Sequence, residues 1–293
     1  MSRDGMDQAA GLRRLLARNS VRLVAIAGGG VGIGKTSTVV NVAAALAHEG
    51  NEVLLLDANS GPGSVADVLG IERATDLDAA LQRGQPMQGS VAPGPDGIWL
   101  MPAAEGLARI ARMEETQRRR ALAAIADFAR PMDVMLVDVA GPESAELLGS
   151  VADDMLVVLS TGAESVTDAY ALIKRLKFAA ARNDFTVVVN RVASESSARA
   201  MFENIARVAS RYLGVTLTYG GFVPPDERVA RASRLRRSVV DAYPAASASA
   251  SYRRVAGGLH ERRRTPPVTE ARRGTVAKTA QAVAHSHGVP CIQ

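Results

Sequence analysis

The chain has 293 residues, 47% of them hydrophobic and 22% charged, with a net charge of +5. That balance belongs to a globular protein large enough to bury a sizeable core. A single cysteine, Cys291, excludes an internal disulfide framework and a protein-built cysteine cluster for zinc or iron–sulfur.

The first expected element is a short helix over 7–19. Asp7 lies at its start and Arg13, Arg14 and Arg18 toward its end, which complements the helix dipole. Ala9, Leu12, Leu15 and Leu16 form one apolar stripe. An apolar run over 23–27 follows, then a glycine cluster and an Ala/Val-rich helix over 35–48. Further strands are expected at 52–57, ending in Asp57, and at 98–101, where Trp99 is read as core packing. A helix over 114–128 leads to a strand at 134–138, ending in Asp138. Strands at 155–159, 185–190 and 217–223 are separated by helices at 165–180 and 194–212. Uninterrupted apolar strands alternating with helices point to an α/β fold: a mostly parallel sheet with helices on both faces. The compact domain is placed at 20–258, after an N-terminal segment 1–19 and before a tail 259–293.

The charge is uneven. Residues 253–293 carry eight Arg or Lys and two acids, so the rest of the chain sums to about −1. A basic end of this kind is read as solvated, with weak, salt-sensitive attraction to an anionic membrane surface as its other use. No specific nucleic-acid partner is expected. No apolar run is long enough to span a membrane, and the first residues lead into no signal core, so a cytoplasmic location is expected, with peripheral contact at the inner membrane or cell pole as an extension.

Gly29-Gly30-Val31-Gly32-Ile33-Gly34-Lys35-Thr36 fits G-x-x-x-x-G-K-[ST] between an expected strand and an expected helix, the context this phosphate loop requires. Glycines let backbone N–H groups turn toward phosphate oxygens, and the helix start favours negative charge. Lys35 would neutralise β/γ-phosphate charge, Thr36 would ligate Mg²⁺, and Ser37 extends the loop contacts. Asp138 and Asp57 end strands, where ligands of open α/β sheets lie. Asp138 is the natural Walker B carboxylate, holding Mg²⁺ directly or through water. Candidate catalytic residues are therefore Lys35, Asp57 and Asp138, with ATP and Mg²⁺ as cofactors.

The loop, Asp57-Ala58-Asn59 with Gly61, and Asp138-Val139-Ala140-Gly141 resemble the MinD/ParA ATPases. Asp7-Gln8-Ala9-Ala10-Gly11-Leu12-Arg13 resembles the D-Q-A-x-x-L-R motif of the FlhG (FleN/YlxH) branch, which controls flagellar number and placement. Thr167-Asp168-Ala169-Tyr170-Ala171-Leu172-Ile173-Lys174 and Val188-Val189-Asn190-Arg191-Val192 are similar to stretches of the same branch. The resemblance implies a P-loop sandwich fold and an ATP-dependent dimer. It implies that Asn190 reads the adenine edge, with Arg191 and Pro224 lining the base. It also implies that Asp7, Gln8, Ala9, Leu12 and Arg13 activate the GTPase FlhF, with Gln8 assisting attack at GTP. Flagellar switch-complex proteins are further implied partners.

The chain departs from this family at three places. Gly30 stands where the family has a lysine that reaches the partner subunit's phosphates. Asn59 stands where it has a second switch acid, and an amide is no general base. Val139 stands where it has a threonine. Nucleotide binding is expected to be retained, with hydrolysis and dimerisation weakened.

Overall fold

β1 (Arg22–Gly28) is apolar throughout its buried middle and ends in the glycine loop. The structure is a computed structural model that describes residues 21–30, 32–72, 74–83 and 86–264. The chain divides into two units, Met1–Gly258 and Leu259–Gln293, and of the second only the helix end through Arg264 is described. The expected helix at 7–19 and the tail beyond Arg264 lie outside the described residues.

Beyond the loop come α1 (Lys35–His48), β2 (Val53–Asp57), α2 (Val65–Leu69) and α3 (Leu77–Arg83). A 3₁₀ turn at Met87–Ser90 leads to the hairpin of β3 (Ala92–Pro93) and β4 (Ile98–Pro102). Next are α4 (Ala104–Arg112), α5 (Glu115–Phe128), β5 (Val134–Asp138), α6 (Pro142–Val151), β6 (Asp154–Ser160) and α7 (Ala163–Ala179). The remainder is β7 (Asp184–Asn190), α8 (Glu195–Leu213), β8 (Thr216–Val223), α9 (Glu227–Arg234), α10 (Val239–Ala242) and α11 (Ser247–Arg264).

The described strands form one eight-stranded sheet in the order β3-β4-β2-β5-β1-β6-β7-β8. Every pairing is parallel except the antiparallel β3–β4 hairpin. Parallel strands buried on both faces require continuous apolar sequence, which β2, β5 and the middle of β6 supply. Side chains alternate between two helical layers. Leu23, Ala25 and Ala27 of β1 join one apolar core with α4 to α8. Val24 and Ile26, fully buried, face the other way. On that side α1 packs on β1, β2, β4 and β5, with α10 against α1. Tyr252 of α11 is fully buried, and its hydroxyl bonds the Thr38 side chain of α1. Burial pushes that phenol up to about 12. Among the described residues no helix is long and apolar enough to cross a membrane.

Sequence and structure differ in places. The sheet has an eighth strand, β3, too short and too proline-marked to read as one. Trp99 is a correction: it is 36% exposed rather than core. The helix layer that buries Met101 on the same face of β4 does not reach Trp99, so the indole stays at the surface and donates to Glu52 Oε2 at 3.0 Å.

Candidate functional site

The strand order places β5 and β6 on either side of β1. Chain connections leave this region in opposite directions, and ligands of doubly wound sheets bind at such a point, beyond the carboxyl ends of the strands. The glycine loop leaves β1 there. Gly32 and Gly34 have φ of +74° and +86°. Gly34 has a further constraint: a Cβ would stand 2.2 Å from Asn190 Nδ2. Gly29 has another, since its Cβ would stand 2.2 Å from the backbone nitrogen of Ala169 in α7. The loop is wedged between two elements and tolerates no side chain at either position.

α1 begins at Lys35 with no side chain capping its first turn. Its leading N–H groups therefore remain available for an anion. Thr38 makes the first helical bond, to Gly34 O at 2.9 Å, and Ser37 O accepts from Asn41 Nδ2 at 2.7 Å. Lys35 Nζ pairs with Asp138 Oδ1, and Thr36 Oγ1 donates to Asp138 Oδ2 at 2.7 Å. Asp138 is fully buried, and these two partners account for both of its oxygens. A hydroxyl and a carboxylate converging on one point are the hard oxygen donors Mg²⁺ takes, and Lys35 beside them suits a polyphosphate.

Asp57 lies across from Asp138 in register on the adjacent strand. Its carboxylate accepts from the backbone of Asn59 at 2.9 Å and of Val65 at 2.7 Å. Burial, reinforced by the charge of Asp138, nevertheless pushes it up to about 6. Asn59 turns its Oδ1 to the backbone N–H of Gly61 at 3.1 Å. Val139 is buried just past Asp138, its N–H donating to Ile26 O.

Asn190 ends β7. Its Nδ2 donates to Ile33 O at 2.8 Å, and its Oδ1 accepts from Arg191 N at 3.0 Å. One amide proton and one lone pair remain beyond these contacts. Arg191 sits at φ +57° and donates to Gly32 O at 2.8 Å. Pro224 follows Val223, which pairs with Asn190. The structure thus brings Gly29, Gly30, Gly32, Ile33, Gly34, Lys35, Thr36, Ser37, Asp57, Asp138, Asn190, Arg191 and Pro224 to one sheet edge. Val31 and the segment holding Asp7, Gln8, Ala9, Leu12 and Arg13 lie outside the described residues.

Two residues near the loop carried no assigned role in the sequence reading. A Cβ on Gly30 would lie 3.0 Å from Asp168 Oδ2. Asp168 and Arg175, one face of α7, line a cleft of about 410 Å³ with Gly28, Gly29, Val139 and Gly141. Asp168 belongs to the Thr167-Asp168-Ala169-Tyr170 stretch, so a signal existed, but spacing alone does not bring α7 to the loop.

A glycine loop after the central strand, with a lysine and a threonine on a buried strand-end acid, defines a P-loop nucleotide-binding protein. Residues 24–239 match the CobQ/CobB/MinD/ParA nucleotide binding domain. The chain is 32% identical to the antiactivator FleN of Pseudomonas aeruginosa, over 84% of this chain and 88% of that protein. It is 22% identical to the flagellum site-determining protein YlxH of Helicobacter pylori, over 83% of each. Its fold is similar to the MinD cell division protein of Aquifex aeolicus, with a TM-score of 0.65 at 23% identity, covering 82% of this chain and 97% of that one. The chain belongs to the MinD/ParA family of P-loop ATPases, in its FlhG (FleN/YlxH) branch.

Proposed function

We propose that this protein is an ATP-binding, MinD-like switch that regulates flagellar assembly and stimulates the GTPase FlhF through its N-terminal segment. The observation that carries the nucleotide half is the Lys35–Asp138–Thr36 constellation at an uncapped helix start. The flagellar half rests on the likeness to FleN and YlxH and on the motif around Gln8.

On this reading Lys35 leaves Asp138 for the β/γ-phosphates. Thr36 and Asp138 would hold Mg²⁺, which would supply charge neutralisation between the phosphates. Asn190 offers its remaining amide proton and lone pair to the base, beside Arg191 and Pro224. Gln8, with Asp7, Ala9, Leu12 and Arg13, acts on the GTPase. Intrinsic hydrolysis is slow. Asn59 accepts no proton and is engaged with Gly61, while the Gly30 position faces the Asp168 carboxylate instead of supplying a cation. The ATP-dependent dimer is weakened for the same reason.

Two measurements test this. GTP hydrolysis by the cognate FlhF, with and without a peptide of residues 1–20, should rise with the wild-type peptide and not with Gln8→Ala; no stimulation by either removes the activator reading. Steady-state ATP hydrolysis should rise at least about tenfold in Gly30→Lys with Asn59→Asp, a restored base being worth roughly 10²–10⁴-fold. A double variant no faster than the parent removes the account of slow turnover.

A further inference from the structure

We propose that His48, Asp96 and Asp241 form a binding site for a divalent transition metal of the zinc class, at the end of α1 remote from the phosphate loop. The three residues come from separate parts of the chain: the last turn of α1, the β3–β4 turn, and α10. One ligand atom from each lies within 4.8 Å of the other two. His48 Nε2 is 2.6 Å from Asp241 Oδ1 and 3.7 Å from Asp96 Oδ2.

The second observation is Asp241 itself. Its side chain is 8% exposed, and Oδ1 is a buried oxygen that receives no hydrogen bond. Its other oxygen accepts from Ser238 Oγ, which fixes the carboxylate plane. That oxygen meets His48 Nε2 in an ion-pair contact at 2.6 Å, but no hydrogen bond joins the two. A cation bonded to both atoms would satisfy the oxygen, since burial makes an acceptor without a hydrogen bond costly.

Charge and geometry agree. Two carboxylates and an imidazole form a mixed N/O set, which suits zinc, cobalt or nickel above calcium or magnesium. The carbonyl end of α1 adds partial negative charge where His48 stands. In a tetrahedral sphere with bonds of about 2.0–2.1 Å, neighbouring ligand atoms are roughly 3.3 Å apart. The Asp96 contact is close to that already. The Asp241 contact opens by less than about 1 Å, within reach of a side chain at a helix end. His48 and Asp96 are 36% and 62% exposed, which leaves an entry path and room for water at the fourth position. α1 is already tied to α10 by Asn41, whose Oδ1 accepts from Val239 N at 2.7 Å. Asn41 and His48 are two turns apart on one face of α1, so the metal would fasten the same two helices a second time.

The test uses the full chain with His285→Ala, His287→Ala and Cys291→Ser, which removes competing ligands from the tail. ZnCl₂ titration by calorimetry should show one saturable equivalent, and CoCl₂ should give visible d–d absorption. His48→Gln and Asp96→Asn should each weaken zinc binding about tenfold or more. Zinc should raise Tm in the parent and not in His48→Gln. Asn tolerates the turn conformation of Asp96, at φ +50°, so this variant keeps the test alive if a change at His48 harms folding. Zinc affinity unchanged by either substitution overturns the site. So does the absence of saturable binding at about 100 µM zinc, a threshold affinity of roughly −5 kcal/mol.

Discussion

The two edges of the sheet are built differently. At the amino edge β1, β6 and β7 are laced together by charge. Arg22 pairs with Asp154 at 2.6 Å, and Asp153 exchanges bonds with both Leu23 N and Leu23 O at 2.9 Å. Arg182, 3% exposed, donates to the carbonyls of Ala152, Asp153 and Asp184 and to the Asp184 carboxylate. At the carboxyl edge the backbone turns through positive φ at Gly32, Gly34, Gly141, Gly162 and Arg191, and among the described residues the ionic contacts are few. There Lys35 pairs with Asp138, and under the proposed function a phosphate and a cation would replace each partner. One edge spends its polar groups on the fold; on that reading the other would release them to a ligand.

The largest effect should fall at the amino edge. Arg182→Ala leaves several carbonyls without donors and should cost about 4 kcal/mol of stability by urea unfolding. Nucleotide affinity of the folded fraction should stay within about twofold, since the residue lies far from the loop. A large loss of affinity would break the division between the edges. Lys35→Ala should reverse the pattern, lowering ATP affinity about 100-fold, or roughly 3 kcal/mol, by calorimetry.

Asp57 offers a third measurement, through pH. Its folded pKa of about 6 lies above the ordinary 3.8. Between about pH 4 and 6 the folded chain keeps a proton that the unfolded chain has lost, so stability falls as pH rises through that window. The loss attributable to Asp57 should be on the order of 2 kcal/mol, and Asp57→Asn should flatten that stretch of the stability–pH curve. An unchanged slope would mean that the carboxyl edge carries no such strain. The smallest effect is expected from Trp99→Phe, which removes one exposed hydrogen bond to Glu52 and should cost no more than about 1 kcal/mol.

Much of the carboxyl edge was legible because its chemistry is local in sequence. A strand, glycines, Lys35 and Thr36 read in a line, and the 35–48 helix has the observed limits. Asp138 and Asp57 were recognised because acids ending apolar runs stand out. The amino edge was not legible. Arg182 and Asp153 are ordinary loop residues until the sheet order sets them side by side. Helices α4 and α6 were missed too. α4 is short, and Leu107 and Ile110 are its only large buried side chains; α6 opens on Pro142, which reads as a break although proline suits a first helical position. The relation of Gly30 to Asp168 depends on α7 folding back over the loop, which no spacing encodes.

The bond from Asn190 to Ile33 joins residues 157 positions apart. During synthesis the phosphate loop is made early, but its brace arrives only after β7 has emerged and paired with β6. A nascent or truncated chain ending before Asn190 has the whole glycine motif and lacks the contact that holds its shape. The shape of the loop is therefore closed by a residue of β7, and it depends on β7 having been placed beside β6 in register.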